Sequence, residues 1–149
     1  MSAEGKVYES HYDYKMDPKY RVSIPVAFRP DGDEPVRLQV SKEHEEQVIK
    51  IFSVAAFEDK FRQIAESNLT PAKKTKLAGA LRMTSKEATI SSQGKLSVPK
   101  DWAEDIGLKA DGPVKVAGRD SYYILCSEDT FRRIVEADMN IDDDELGVL

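Results

Sequence analysis

Polar and apolar residues alternate through Arg21, Val22, Ser23 and Ile24, directly after Asp17-Pro18. The pattern predicts a half-buried strand entered through a tight turn with proline at its second position. Further along, the chain repeats the pattern: "DPKYRVSIP" at 17–25 is answered by "SSQGKLSVP" at 91–99, an offset of 74 residues. In the second copy Ser91 opens the turn and Gly94 closes it, before Lys95, Leu96, Ser97 and Val98 alternate in the same way. The same offset carries Phe28 onto Trp102, Ile51 onto Leu125, Ser53 onto Ser127 and Phe57 onto Phe131 without a gap. "VIKIFSVAAFEDKF" thus lies over "YYILCSEDTFRRIV", a strand running into a helix both times, and the chain reads as two copies of one strand-rich unit.

The remaining elements are predicted by the same patterns. Tyr12, Tyr14 and Met16 alternate, so a strand within 5–16 leads into the first turn, and "KEATI" is its counterpart before Ser91. "VAFRPDG" permits only a short helical turn before Pro30, whereas "KDWAEDIG" allows a longer helix with Trp102 and Ile106 on one face and Gly107 as its stop. A hairpin comes next in each half: "PVRLQV" and "EQVIKIF" flank "SKEHE", and "GPVKVAG" and "SYYILC" flank "RD". Each hairpin is closed by a helix whose core stripe is Phe57, Phe61 and Ile64 in one copy and Phe131, Ile134 and Val135 in the other. Thr70-Pro71 starts a connecting helix with Leu77, Ala80 and Leu81 inward and Lys73, Lys74 and Lys76 outward, either as a solvated face or against phosphate. The expected organisation is a β-rich α+β protein: a first repeat at 7–66, a connecting helix at 67–83, a second repeat at 84–137 and an acidic tail at 138–149.

The 149 residues suit one ordinary domain, and a half of that size is marginal alone, so the copies are expected to pack on each other or on a partner chain. No apolar run approaches the ~20 residues of a membrane span, and "MSAEGKVYES" lacks the apolar core of a leader, which predicts a soluble, cytoplasmic protein. The single cysteine, Cys126, excludes a disulfide within the chain and is expected to be a buried, inert thiol. The net charge of −5 argues against a nucleic-acid partner only until its distribution is read. Between positions 60 and 100 nine lysines and arginines face two glutamates, while Asp142-Asp143-Asp144-Glu145 concentrates negative charge in a segment expected to be solvated and poorly ordered. A basic face therefore remains compatible with the acidic total.

Catalytic signatures are absent from the sequence. His11 and His44 have no second histidine at metal-ligand spacing, and there is no G-x-S-x-G elbow, phosphate-binding glycine loop or dinucleotide fingerprint. No enzyme, cofactor, metal or small-molecule substrate is expected. Asp17 and Arg21, four apart across the first turn, suit an ion pair, and an acid that fixes an arginine's orientation also prepares it to bind an anion.

D-x-x-x-R running into "VSIP", a second turn-strand-Pro and a connecting helix together resemble the MraZ family of AbrB-like, swapped-hairpin transcription factors. The resemblance rests on "MDPKYRVSIPVAFR", "LAGALRM" and "SQGKLSVPKDWAEDIGL" and covers roughly residues 7 to 137. It implies two tandem repeats forming a pseudo-symmetric, barrel-like body, assembly into ring-shaped homo-oligomers, and a nucleoid-associated DNA-binding regulator. In many bacteria such a regulator controls the cell-division and cell-wall gene cluster through short direct repeats. It makes Asp17, Lys19 and Arg21 the acid, central base and arginine of the first motif. Gln93 and Lys95 are the residues that the second copy keeps beside Gly94, and Ser23 accompanies Arg21 on the strand. The family usually has Gly at Tyr20, Asp at Ser91 and Arg at Lys95. A lysine lacks the bidentate fork that reads guanine, so the second site is expected to favour phosphate and sequence readout to be weaker than in typical members.

Two other readings remain open. An antitoxin-type AbrB relative binds DNA and holds a small partner, for which the acidic tail is the candidate segment. An oligomeric scaffold without DNA binding is suggested by the acidic pI of about 5.1 and by Tyr20, Ser91 and Lys95.

Overall fold

A computed structural model describes residues 6–149; residues 1–5, which include Gly5 of the expected first strand and half of the segment read for a leader, lie outside the described residues. The chain forms β1 (His11–Lys15), β2 (Arg21–Ser23), β3 (Val36–Glu43), β4 (Glu46–Ser53), α1 (Val54–Glu66), α2 (Pro71–Met83), β5 (Ser85–Ala88), β6 (Lys95–Ser97), α3 (Lys100–Asp105), β7 (Pro113–Gly118), β8 (Tyr123–Cys126) and α4 (Glu128–Asp138). Single 3-10 turns occupy Val26–Phe28 and Ile141–Asp143. Six strands form one antiparallel sheet in the order β1-β7-β8-β4-β3-β5, and β2 and β6 form a separate two-stranded ribbon. The described residues form an α+β protein with an antiparallel sheet and four short helices, and no helix among them is long and apolar enough to cross a membrane.

The barrel-like closure implied by the resemblance is not found among the described residues. β1 and β5 are open edges of the sheet, and β2 and β6 pair with each other rather than bridging those edges.

Register relates the two halves. Val22 pairs with Leu96 at the centre of the ribbon, and Lys50 pairs with Ile124 at the centre of the β4–β8 ladder, so each residue faces the one 74 positions from itself. The backbone bonds beyond the ribbon match too: Ile24 N–H reaches the Gly94 carbonyl and Val98 N–H the Tyr20 carbonyl, both at 2.9 Å. α1 and α4 start from equivalent N-caps, Ser53 and Ser127, each accepting a backbone N–H from the third residue on.

The first hairpin is longer than the sequence pattern suggests. Most of "SKEHE" is strand, and only His44 and Glu45 turn the chain, both at positive φ (48° and 68°). A two-residue turn of this hand matches the twist of the flanking strands, which outweighs the poor fit of His and Glu to left-handed backbone.

The ribbon and α3 cover one face of the sheet, and α1 and α4 lie on the other. Val22, Ile24, Leu96 and Val98 join Leu38, Ile49, Ile51, Val116 and Leu125 in one core. Phe28 packs its ring against Tyr8, Tyr12 and Tyr123 with centroids 4.8–5.5 Å apart. Val48, Ala117, Ile124, Cys126 and Ile134 form a second cluster under α4. β4 and β8 are covered on both faces, which is why they read as nearly continuous apolar runs. Cys126 is fully buried, and desolvation pushes its thiol up to about 12.

The helices are less buried than their stripes suggest. Phe57 alone is buried on α1, with Phe61 and Ile64 half-covered; Ile134 is buried on α4 while Val135 is exposed. The inward face expected for α2 is a clearer departure, because α2 buries no residue at all. The acidic tail is solvated as expected but carries local structure: Asn140 caps its 3-10 turn, and Asp144 accepts the backbone N–H groups of Gly147, Val148 and Leu149.

A charged network ties the long hairpin to the second half. Glu43, nearly buried, accepts the Tyr122 hydroxyl and faces Lys50 at 3.6 Å and Arg119 at 3.4 Å. Arg119 continues to Asp138, which His44 also contacts at 2.7 Å. The Arg119 hydrogen bonds hold the Asp138 carboxyl below its ordinary 3.8, outweighing desolvation. A lowered folded pKa means stability that is present above the ordinary value and lost as pH falls through the folded one. Asp138→Asn should therefore lower the urea midpoint at neutral pH, and the gap to wild type should close as the pH is taken below 3.8. Leu96→Ala, in contrast, should cost about 2–5 kcal/mol at every pH tested, read as a lower urea midpoint.

Candidate nucleic-acid interface

The ribbon has an inside and an outside because strand side chains alternate. With Val22 and Leu96 buried, Arg21, Ser23, Lys95 and Ser97 all stand on the opposite, outward face. The ladder sets Arg21 opposite Ser97 and Ser23 opposite Lys95, so the two basic residues are diagonal neighbours, with backbones about 7–8 Å apart. Both copies thus contribute to one platform rather than to two separate edges. Lys95 Nζ donates to Ser23 Oγ at 3.0 Å, which holds the lysine across the strands.

The turns at the two ends of the ribbon share a scheme. In the first, Tyr20 N–H bonds the Asp17 carbonyl at 3.0 Å and Asp17 Oδ1 accepts the N–H groups of Lys19 and Arg21 at 2.9 and 2.8 Å. Asp17 Oδ2 receives Arg21 Nε at 2.7 Å. Desolvation raises the Asp17 pKa, but the Arg21 N–H, its guanidinium and the Lys19 N–H together outweigh it and hold the carboxyl below its ordinary value. Both Asp17 oxygens are occupied, so Asp17 positions Arg21 while the ends of the guanidinium remain outward. In the second turn Ser91 Oγ accepts from the N–H groups of Gln93 (3.3 Å) and Lys95 (3.1 Å), and Gly94 N–H bonds the Ser91 carbonyl at 2.8 Å. A hydroxyl does the backbone work of the aspartate without its charge, so Lys95 lacks the acid partner that Arg21 has. Lys19 and Gln93 sit exposed at equivalent places on the two turns.

The fourth turn position is left-handed in both copies, with φ 58° at Tyr20 and 78° at Gly94. Glycine takes that conformation without penalty, whereas tyrosine needs compensation. Tyr20 gains it by packing on the core and donating its hydroxyl to Glu104 at 3.2 Å. The space above Gly94 is filled instead by Arg29, whose guanidinium occupies the volume a Cβ would need and whose Nε donates to the Ile24 carbonyl at 2.8 Å. Sequence reasoning missed Arg29. The available signal was the Tyr20/Gly94 mismatch between copies, since an absent side chain in a tight turn leaves room for another.

Of the residues singled out from sequence, Asp17, Lys19, Arg21, Ser23, Gln93 and Lys95 all lie on this ribbon or its turns. Lys73, Lys74 and Lys76 lie elsewhere, on α2. No family model and no curated protein matches the chain.

Gly94→Ala places a Cβ in the volume that the Arg29 guanidinium occupies and an L side chain in left-handed backbone. It is expected to cost at least about 1–2 kcal/mol in urea unfolding, with part recovered when Arg29→Ala is added. Gly79→Ala is the matched control, because open space surrounds Gly79 on α2; it should raise stability by roughly 0.5–1 kcal/mol.

Proposed function

We propose that this chain is a DNA-binding transcriptional regulator of the MraZ type, a nucleoid-associated repressor that acts as a homo-oligomeric ring on repeated promoter sites. The observation that carries the reading is the outward face of the β2–β6 ribbon, where Arg21 is held by Asp17 beside Lys95 and two serines. A two-stranded antiparallel ribbon is one of the two protein elements that the DNA major groove admits. Arg21 supplies the fork that reads a guanine edge, Lys95 a phosphate contact, and Lys19 and Gln93 reach from the turns toward the flanking backbone. The 74-residue relation between β2 and β6 fits two tandem repeats of the swapped-hairpin class, each giving one strand to the platform. One ribbon makes few contacts. Several copies in a ring present them in register, and effective concentration converts weak contacts into useful affinity for direct repeats.

The test is a mobility-shift titration of the purified protein on its own upstream DNA across a salt series. Affinity should fall linearly with the logarithm of salt, and Arg21→Ala should weaken binding at least about tenfold while flattening the salt slope. Failure of wild type to shift either that DNA or a random duplex at ~50 mM salt, where phosphate contacts are strong, would replace this reading with the scaffold.

A further inference from the structure

The α1–α2 pair leaves apolar surface without a cover. α2 buries nothing, Leu77 is 43% exposed, and Ile64, Leu69, Leu77 and Leu81 line an open groove of about 370 Å³ between the helices. Basic residues flank it: Lys60 lines one side with its ammonium turned to Gln39 and the Phe52 ring, Lys74 Nζ donates to the Ala65 carbonyl at 2.7 Å, and Lys73 and Lys76 stand exposed on α2. None of these four forms an ion pair among the described residues, whereas Arg62 and Arg82 are satisfied by Asp59 and Glu58. Burial, and then nearby Lys50, hold Lys60 below its ordinary pKa.

A second orphan surface has the complementary chemistry. The segment after α4 exposes Ile141 (79%), Leu146 (86%), Val148 and Leu149 around Asp142, Asp143, Asp144 and Glu145. Asp144 folds its end by accepting three backbone N–H groups, so the apolar side chains are presented on a compact turn and less ordering is required on docking. The chain's own segment does not lie in its own groove, whose lining comes entirely from residues 60–81.

From this pairing we infer that the α1–α2 groove receives the acidic, apolar 139–149 segment of a second copy of this chain. Ile141, Leu146 and Val148 take the apolar floor, and the carboxylates meet the exposed Lys73 and Lys76. Each copy carries one groove and one segment, so the contact is heterologous and propagates head to tail until it closes. The inference deepens the functional reading by giving its homo-oligomer a physical contact, and it stands on the groove and the segment, not on DNA.

The test uses the full chain without DNA, by light scattering coupled to gel filtration over a concentration series. Wild type should assemble beyond a monomer, and the assembly should weaken as salt rises. Leu77→Asp, at an exposed position, and Leu146→Asp/Val148→Asp should each reduce self-association at least tenfold while circular dichroism stays unchanged. The two variants mixed one to one should form a dimer-sized species and stop there, because one retains an intact segment and the other an intact groove. A monomeric wild type, variants that assemble normally, or a mixture that stays monomeric would each overturn the inference. Arg21→Ala serves as the separating control: it should assemble like wild type, so that loss of DNA binding and loss of this contact are read independently.

Discussion

Everything distinctive in this molecule depends on the pairing of β2 with β6. Each strand is three residues long, and neither has another ladder partner among the described residues. Strands this short do not persist alone; they exist because Val22 and Leu96, at zero exposure, lock the ribbon onto the sheet beneath. The two residues come from different halves of the chain, so neither half completes its own core. The polar face is a by-product of the same constraint, since burying one side of a pleated ribbon forces Arg21, Ser23, Lys95 and Ser97 to the other.

The halves are related but not equal, and their differences compensate. The first hairpin runs two residue pairs further along each strand than the second, because it turns at His44-Glu45 while β4 and β8 keep their 74-residue offset. The second half has four more residues between its ribbon strand and its hairpin, and these hold the longer α3 where the first half has only the turn at Val26–Phe28. The extra hairpin length carries Glu43 and His44, which bind Arg119, Tyr122 and Asp138. The symmetry lost between the repeats thus became a charged tie between them. The turns diverge similarly: one holds its basic residue with a carboxylate, the other with a hydroxyl and an across-strand serine.

Much of this was legible because local physics speaks in short windows. Alternation marked β2 and β6, the apolar stripes after each hairpin marked α1 and α4, and Thr70-Pro71 marked the start of α2. The strand pattern set Arg21, Ser23 and Lys95 on the polar face, whereas Lys19 and Gln93 were named through the family resemblance of the two turns. Partner choice could not be read, since the alternation at Arg21–Ser23 is the same whether the strand pairs with β1, with β6 or closes a barrel. The stripe on α2 was misread for a related reason: Leu77, Ala80 and Leu81 define a face, but sequence does not say whether anything lies against it. Arg29 was hidden because its partner is an absence, the missing side chain of Gly94.

The internal repeat also bears on why the exposed apolar surfaces stand where they do. α1 and α4 occupy equivalent positions, but the segments after them differ in sign: α1 leads to a helix with Lys73, Lys74, Lys76 and Leu77, and α4 leads to Asp142–Glu145 flanked by Ile141 and Leu146. A monomer shaped only for solubility has no need of apolar residues in either segment, since scattered exposure is tolerated but a lined groove is unusual. Two equivalent sites with opposite charge and matching hydrophobicity are required of a chain if the relation between its halves is continued from one copy to the next. In the proposed contact the asymmetry sets a direction, because like-charged segments repel and unlike ones attract.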